Sequence, residues 1–404
     1  AHVGHARTYV VFDQLARALL RERTDVRLVR NITYVDDKII DAARREGVHW
    51  STLSNRYAHK NRGLMLETGL LIPEEPKASE YIDDIIVVID KLIALGFAYP
   101  SSTGDVLYNV GAYKGKSLVQ HARGASKSEQ GQSRVNTDGK RDVRDFSLWK
   151  TMLSDEPGFP SPWGWGRPGW HIECTAMIGS LFGGHVTIHG GGVDLKFPHH
   201  QSEIMQSEPV FNKKVADIWM HNGSVLSNGV KMSKSLGNVV LWSDALEKAN
   251  IVMPGRGGDI LRYAMLKTHW SQPLDWTSSI LTQSALEIGS LVRKAWLTRN
   301  VRSDQSFFEI LGENFNTPKA FGWLHHMAKA GKGASVLEGL QALGIDAHAW
   351  SIDTALAQVF SADIALLVKQ RDEARALKKW EEADAIRLQL QERGIALNDV
   401  SIFN

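Results

Sequence analysis

The amino-acid sequence predicts an α/β fold, in which a doubly wound domain with an insertion is followed by an all-α C-terminal portion. Within the first 47 residues, apolar side chains at helical spacing (9–20), a β-branched run (26–32) and a second helical stretch (37–45) follow one another. This alternation is typical of doubly wound domains. From about residue 241 the helical period continues almost to the end, and 404 residues suit two or three domains.

Composition and charge exclude several classes of protein. With 43% hydrophobic and 23% charged residues, the chain is typical of a globular protein, not of a disordered or collagen-like one. The aliphatic run 85–89 is far shorter than the roughly 20 apolar residues that span a bilayer, so we expect no membrane association. The net charge is only +2, so a nucleic-acid partner would have to be bound through local basic patches or through its shape. The single Cys174 excludes a disulfide framework and favours a reducing, cytoplasmic location.

Between the first 47 residues and the helical region that begins at about residue 241, the predicted elements are shorter. Apolar spacing predicts helices over 79–95 and 172–182, and a short strand at 186–188 runs into three glycines. Residues 111–145 are polar with an excess of four positive charges, and we interpret them as a mobile loop or an insertion. Residues 156–170 are rich in Pro, Gly and Trp, which predicts a rigid, turn-filled connection.

The C-terminal half is predicted to be a separate all-α portion. Apolar spacing predicts helices over 259–267, 281–296, 320–330, 354–378 and 380–393, the last ending at Gly394.

A first candidate phosphate site is His2-Val3-Gly4-His5, at the start of the first predicted helix. A helix N-terminus offers backbone N–H groups and a partial positive charge, which suit phosphate. Glycine lets a ligand approach the backbone closely, and histidines donate hydrogen bonds to phosphate oxygens. Taken alone, such a pattern is more often a surface pair of histidines.

A second candidate phosphate site is Lys231-Met232-Ser233-Lys234-Ser235, followed by Leu236-Gly237-Asn238. Two lysines three residues apart, among small residues, can hold a triphosphate and stabilise the negative charge that moves onto pyrophosphate in the transition state. Taken alone, a solvated basic loop explains the same residues.

The third constellation carries metal-ligand chemistry. Cys174 lies in the stretch 167–174, and it is followed by 188–195 and then by His199, His200 and Glu203. Cysteine, histidine and glutamate are all zinc ligands, and His199 and Glu203 are one helical turn apart. A buried cysteine beside a histidine pair is, by itself, more often structural packing.

Together the three constellations resemble a known family. The first two, in this order and about 230 residues apart, resemble the HIGH and KMSKS signatures of class I aminoacyl-tRNA synthetases, with Val for Ile in the first. With the third, the chain closely resembles the cysteinyl-tRNA synthetase family. Further family landmarks lie at 29–33, 36–39, 145–150, 219–221, 315–318 and 383–387.

The resemblance implies a Rossmann-like catalytic domain and the activity of a cysteine–tRNA ligase. It implies that L-cysteine is activated by ATP to cysteinyl-adenylate, with Mg²⁺, and transferred to the 3′-terminal adenosine of tRNA(Cys). By position in the motifs it assigns catalysis to His2, His5, Lys231 and Lys234, and ATP binding to these four residues and Gly4.

The resemblance also assigns the amino-acid site. It implies one Zn²⁺ held by Cys174, His199, Glu203 and a further cysteine upstream of Ala1, and it places Thr33, Trp170, His189 and Asp194 around the substrate. Asp194 suits the substrate ammonium and Trp170 would wall the pocket.

The expected domains are a Rossmann-like catalytic domain over 1–240, whose first strand lies upstream, with an insertion at about 76–185, a helical bundle facing the tRNA stem over 241–340, and a small helical domain over 341–404. We expect a monomer.

Two other functions share these motifs. A cysteine ligase that acts on a small amine, of the mycothiol-pathway kind, has the same zinc and ATP signatures, but the helical stretch 354–394 resembles the tRNA-facing end of the synthetases. An inactive tRNA-binding paralogue is the third hypothesis, and the intact lysines and metal ligands argue against it.

Overall fold

The computed structural model describes residues 1–115, 117–118, 139–152, 157–233, 235–299, 306–350, 367, 370–371, 373–375, 377 and 379–392. The chain folds into two compact units. The first unit comprises Ala1–Val26, Gly63–Ile72 and Asn222–Asn404, and the second comprises Arg27–Arg62 and Pro73–His221.

The helices and strands of the described residues follow one another along the chain. The helices are α1 (Val3–Arg21), α2 (Asp37–Glu46), α3 (Trp50–Glu67), α4 (Ile82–Ala94), α5 (Trp170–Phe182), α6 (Gln201–Phe211), α7 (Trp242–Val252), α8 (Gly257–Leu266), α9 (Ile280–Leu297), α10 (Ser306–Gly312), α11 (Thr317–Lys329), α12 (Gly333–Ala342) and α13 (Trp380–Glu392). The strands are β1 (Ala98–Pro100), β2 (Val106–Tyr108), β3 (Phe146–Thr151), β4 (Gly166–Pro168), β5 (Val186–Gly192), β6 (Ala216–Asn222), β7 (Val225–Ser227), β8 (Val230–Lys231) and β9 (Leu274–Trp276).

The first unit packs helices around a three-stranded sheet in the order β8-β7-β9. β7 pairs with β9 in parallel and with β8 as an antiparallel hairpin. The hairpin turn is Asn228-Gly229, and both residues have positive φ (48° and 77°), as a type I′ turn requires. The apolar face of α1 packs into the same core as α7, α8 and α9, so the start of α1 is held by buried contacts.

The second unit contains a four-stranded antiparallel sheet in the order β1-β2-β3-β4 and the strand pair β5-β6. α4 packs its apolar face, including Ile85 and Ile89, against Trp149 of the sheet. α5 and α6 lie beside α4 and contact each other. This antiparallel sheet was not predicted from the sequence, because its strands of three to six residues are too short to show a clear period of two.

Most predicted helices are confirmed, with ends shifted by a few residues. The prediction at 9–20 corresponds to α1, 37–45 to α2, 79–95 to α4, 172–182 to α5, 259–267 to α8, 281–296 to α9, 320–330 to α11 and 380–393 to α13. The strand predicted at 186–188 is β5. Most of 111–145 and of 354–378, and Gly394, lie outside the described residues.

Two expectations were wrong in extent. The predicted strand at 26–32 forms only isolated parallel bridges, Val29 with Glu74 and Ile32 with Lys77. Pro76, between the two partner positions, has no N–H to donate, so a continuous ladder is interrupted. Residues 156–170 are not turn throughout, since 166–168 form β4. Pro168 is tolerated there because β4 is the edge strand of its sheet.

Among the described residues, no helix is both long enough and apolar enough to cross a membrane.

Candidate functional site

The first predicted phosphate signature lies at the N-terminus of α1. His2 is the N-cap residue, and its Nδ1 accepts a hydrogen bond from the backbone N–H of Gly4 at 3.1 Å. In return the N–H of His2 donates to Nδ1 of His5 at 3.2 Å, so the two histidines cap the helix reciprocally. Because each Nδ1 is an acceptor, a neutral ring carries its proton on Nε2, where it is a donor of the kind that phosphate oxygens accept.

Gly4 is required by the close fit of this cap. A Cβ built at Gly4 would lie 2.8 Å from Cε1 and 2.9 Å from Nδ1 of His2, closer than real Cβ contacts. Any larger residue would therefore displace the His2 ring. The two histidine rings are close together, with centroids 3.9 Å apart. Residues 2 to 5 by themselves therefore form the cap of α1.

The second predicted phosphate signature begins on the hairpin of the first unit. Lys231 is the last residue of β8 and is exposed. Beyond it, the side chain of Asn238 closes the loop from both sides: its Oδ1 accepts from the N–H of Ser233 at 2.9 Å, and its Nδ2 donates to the carbonyl of Lys231 at 3.2 Å. Lys234 lies outside the described residues.

The predicted metal ligands are brought together in the second unit. Cys174 lies on α5, His199 just before α6 and Glu203 on its first turn, and one ligand atom of each lies within 4.8 Å of the others. The Cys174 Sγ is 3.5 Å from His199 Nε2, which is 2.9 Å from a Glu203 oxygen. All three side chains are buried.

Electrostatics inside this cluster favour a cation. Burial, together with the carboxylates of Glu203 and Glu173, raises the pKa of the Cys174 thiol well above its usual value. Burial alone would also raise the pKa of Glu203, but His189 and His199 outweigh it and hold that pKa well below the usual range. The site therefore contains a buried carboxylate and a thiol that burial, with nearby negative charge, keeps protonated, and a bound cation would favour the thiolate.

The donor set fits a metal ion. The two buried carboxylate oxygens of Glu203 lie 2.7 Å from His189 Nε2 and 2.9 Å from His199 Nε2, but within the described part of the chain neither of these close contacts has the geometry of a hydrogen bond. Buried nitrogen and oxygen ligand atoms that converge without well-formed hydrogen bonds call for an explanation, and a shared cation supplies one. Sulfur, imidazole and carboxylate are the ligands that Zn²⁺ takes in proteins.

His171 is a site residue that the sequence analysis did not assign. Its Nδ1 lies 2.9 Å from Nδ1 of His199, and burial holds the pKa of His171 well below its usual value. If His199 binds a metal through Nε2, its Nδ1 carries the proton and donates to the neutral His171, which orients the ligand. The signal was present, since His171 and Cys174 are three residues apart and share a face of α5.

The other predicted substrate residues lie in the same unit, in different surroundings. Trp170 stacks on His199 with ring centroids 4.4 Å apart, and His189 contacts Glu203. Thr33 lies beside Glu173. Asp194 is exposed in the turn after β5, where its charge acts on His221.

A buried ion network is a further feature of the second unit. Asp37, at the start of α2, accepts hydrogen bonds from Lys150 Nζ at 3.0 Å and from Arg167. Burial by itself would raise the pKa of Asp37, but the two cations outweigh it and hold the pKa well below the usual range.

Two family descriptions match the sequence. Residues 1–286 match "tRNA synthetases class I (C) catalytic domain", and residues 358–401 match "Cysteinyl-tRNA ligase anticodon binding domain".

Curated relatives match over nearly the whole chain. A cysteine–tRNA ligase of Parvibaculum lavamentivorans is 38% identical over 99% of this chain and 88% of the relative. The cysteine–tRNA ligase of Coxiella burnetii (strain Dugway 5J108-111) is 37% identical over 99% of this chain and 91% of its own length, and that of Paramagnetospirillum magneticum is 39% identical over 99% and 90%.

Solved structures share the fold at low identity. A methionyl-tRNA synthetase of Mycobacterium tuberculosis in complex with methionyl-adenylate covers 91% of this chain and 87% of its own, with a TM-score of 0.59 and 16% identity. A second structure of that enzyme gives a TM-score of 0.58 at 15% identity. With the match to the class I catalytic domain, this likeness confirms the predicted α/β, Rossmann-like fold class with an all-α C-terminal portion.

Proposed function

Because the chain belongs to the cysteine–tRNA ligase family of class I aminoacyl-tRNA synthetases, we propose that it activates L-cysteine with ATP and transfers the cysteinyl group to the 3′-terminal adenosine of tRNA(Cys). The observation that carries the proposal is the near-complete match to these ligases, together with the buried cluster of Cys174, His199 and Glu203. The match of residues 358–401 to an anticodon binding domain supports tRNA as the acceptor.

We propose that Cys174, His199 and Glu203 hold one Zn²⁺ in the second unit. When bound, the ion would supply a soft Lewis acid that prefers the sulfur of cysteine to the hydroxyl of serine. The chain's own residues prepare this site: His171 orients His199, Trp170 covers the His199 ring, and the buried Glu203 supplies negative charge. Selection by sulfur chemistry is needed because shape alone discriminates poorly between side chains of nearly equal size.

The remaining amino-acid contacts are assigned by analogy with the family. We propose that His189, Thr33 and Trp170 line the substrate side of this cluster and that Asp194 pairs with the substrate ammonium. The exposed position of Asp194 is compatible with a charge that meets its partner only on binding.

We propose that the first unit binds ATP. The N-terminus of α1 with His2, Gly4 and His5 contacts the phosphates, and Lys231 and Lys234 supply positive charge to them, with Mg²⁺ accompanying the nucleotide. The reciprocal cap supports this role because it holds both histidines with Nε2–H as donor. The donors act most strongly on charge that develops in the transition state.

The proposed reaction has two steps. A carboxylate oxygen of cysteine attacks the α-phosphorus of ATP, the bond to the bridging oxygen breaks, and pyrophosphate leaves with its electron pair. A ribose hydroxyl of the terminal adenosine then attacks the carbonyl carbon, AMP leaves, and the hydroxyl proton passes to solvent. No protein nucleophile is needed, because orientation and charge stabilisation lower the barrier.

The domain boundaries predicted from the sequence, 1–240 with its insertion at 76–185, 241–340 and 341–404, remain a proposal, as do a monomeric state and a cytoplasmic location.

The test is cysteine-dependent exchange of labelled pyrophosphate into ATP in the absence of tRNA, followed by aminoacylation with tRNA(Cys) transcript. We expect exchange with cysteine, none above background with serine, and charging of the tRNA. Transfer to a small aminosugar instead of tRNA would favour the small-amine ligase. Binding of tRNA without any exchange would favour the inactive paralogue.

A further inference from the structure

We infer that Arg7 is a positioning residue that ties the phosphate-binding end of α1 to the hairpin that carries Lys231. This inference rests on the proposed ATP site. Arg7 lies on α1 two residues after His5, and its side chain is fully buried in the first unit.

Among the described residues, the acceptors of the Arg7 guanidinium are all backbone carbonyls. Nη1 donates to the carbonyls of Gly223 and Ser224, both at 3.0 Å, and Nη2 donates to those of His269 at 3.0 Å and Gln272 at 2.7 Å. Each nitrogen therefore binds two carbonyls of a different segment. A single planar group with fixed N–H directions joins α1 to two separate loops.

These two segments lead directly into the sheet of the first unit. Gly223 and Ser224 precede β7, and Gln272 precedes β9, the parallel partner of β7. β7 in turn pairs with β8, where Leu226 lies opposite Lys231. If the hydrogen bonds of Arg7 were lost, the segment before β7 could shift, and β8 with Lys231 would shift with it because β8 pairs with β7.

The two segments must also lie close together for this contact to form. A Cβ at Gly223 would lie 2.3 Å from the carbonyl oxygen of Gln272. Glycine is therefore required at 223, because any side chain would push apart the carbonyls that Arg7 binds.

The far end of the lysine-bearing segment is tied to the start of α1 as well. The N–H of Val3 donates to the carbonyl of Val240 at 3.0 Å, and the N–H of Trp242 donates to the carbonyl of Ala1 at 3.1 Å. The described residues of 225–240, which include Lys231, are thus anchored beside the start of α1 at both ends of the segment. This double anchorage is the geometry expected if both signatures act on one triphosphate.

The chemistry of Arg7 sets it apart from an ordinary buried arginine. Among the described residues no carboxylate pairs with it, and burial lowers its pKa to about 10, so it stays protonated at neutral pH. Arg262, also fully buried in the first unit, pairs with Asp13 and donates to the carbonyl of Leu343. Asp13 lies on α1, eight residues after His5, so Arg262 provides a matched control for the loss of a buried guanidinium that binds α1 away from the His2–His5 cap.

The experiment compares Arg7→Lys with Arg262→Lys in the full chain. Lysine keeps the positive charge, but its single ammonium nitrogen cannot donate to four carbonyls that lie on two sides of the guanidinium. We expect Arg7→Lys to lower kcat for cysteine-dependent pyrophosphate exchange by about 10²-fold, the effect of a small misplacement of reacting groups. The KM for cysteine should stay within about twofold. Arg262→Lys should lower the Tm while leaving kcat within about threefold.

Two further measurements keep the inference falsifiable. Gly223→Ala, which leaves Arg7 in place, should lower kcat in the same way and covers the case in which Arg7→Lys does not fold. Hydrogen exchange of the amides in 225–231 should be faster in Arg7→Lys than in Arg262→Lys at equal temperature below Tm, and this readout needs no activity. A wild-type chain without pyrophosphate-exchange activity would overturn the proposed function. The hydrogen-exchange rates of the amides in 225–231 would still test whether Arg7 anchors the hairpin.

The inference is overturned if Arg7→Lys or Gly223→Ala keeps wild-type kcat. It is also overturned if Arg262→Lys lowers kcat as much as Arg7→Lys does, since Arg7 would then be only a structural residue.

Discussion

Replacing Gly4 with alanine tests the phosphate-binding role of the α1 cap. The new Cβ would lie 2.8 Å from Cε1 and 2.9 Å from Nδ1 of His2, so the imidazole must turn away and lose its 3.1 Å bond from the Gly4 N–H. The substitution therefore removes the orientation of His2 without deleting the histidine, and it obstructs the approach of a phosphate to the backbone.

The expected magnitudes separate stability from catalysis. Losing an N-cap bond costs about 0.5–2 kcal/mol of unfolding free energy. Alanine in place of glycine within a helix returns about 0.5–1 kcal/mol, so the net change should lie between a gain of about 0.5 and a loss of about 1.5 kcal/mol. If His2 stabilises the transition state, exchange should fall by about 10²–10³-fold, which corresponds to roughly 3–4 kcal/mol.

The rate of cysteine-dependent pyrophosphate exchange is measured at several ATP concentrations. Thermal unfolding of the same variants measures the change in stability. The matched control is Gly322→Ala on α11, where nothing lies within 4 Å of the added Cβ. The control should be slightly more stable than wild type and fully active. Exchange by Gly4→Ala within threefold of wild type would refute the reasoning, because the His2 orientation would then be irrelevant to the reaction.

Three further predictions concern the other parts of the molecule. Cys174→Ser should lower the zinc content per chain. In cobalt-substituted wild type, cysteine but not serine should change the sulfur charge-transfer band, whereas an unchanged band would indicate a closed structural site. Asn238→Ala removes both hydrogen bonds that close the loop after Lys231 and should lower kcat for exchange at nearly unchanged Tm; an unchanged kcat would show that this closure is dispensable. The pKa of Asp37 is held below its unfolded value of about 3.9, so its contribution to stability is complete above about pH 5 and is lost as the pH falls toward the folded value. Urea unfolding between pH 5 and 3 should therefore depend less steeply on pH in Asp37→Asn than in wild type, and equal slopes would contradict the ion network.

Residues close together in the sequence determined much of this protein. The helix over α1, its cap at His2 and the end of α2 at Gly47 depend on side chains within a few positions, so local pattern predicts them. The two phosphate signatures and the cysteine with its later histidine and glutamate are likewise visible as motifs, and they were sufficient to suggest the family. The type I′ turn at Asn228-Gly229 follows from two adjacent residues.

Only the tertiary structure decided which distant groups meet. His171 contacts His199, which is 28 positions away, and Glu203 contacts His189. Neither contact follows from the spacing in the sequence. Arg7 reaches carbonyls 216 to 265 positions away, and carbonyls are present at every residue, so no side-chain pattern marks its partners. The predicted strand at 26–32 was interrupted by a proline on its partner segment, Pro76. Such contacts are selected by the packing of the whole chain, because their free energy depends on partners that local propensity does not include.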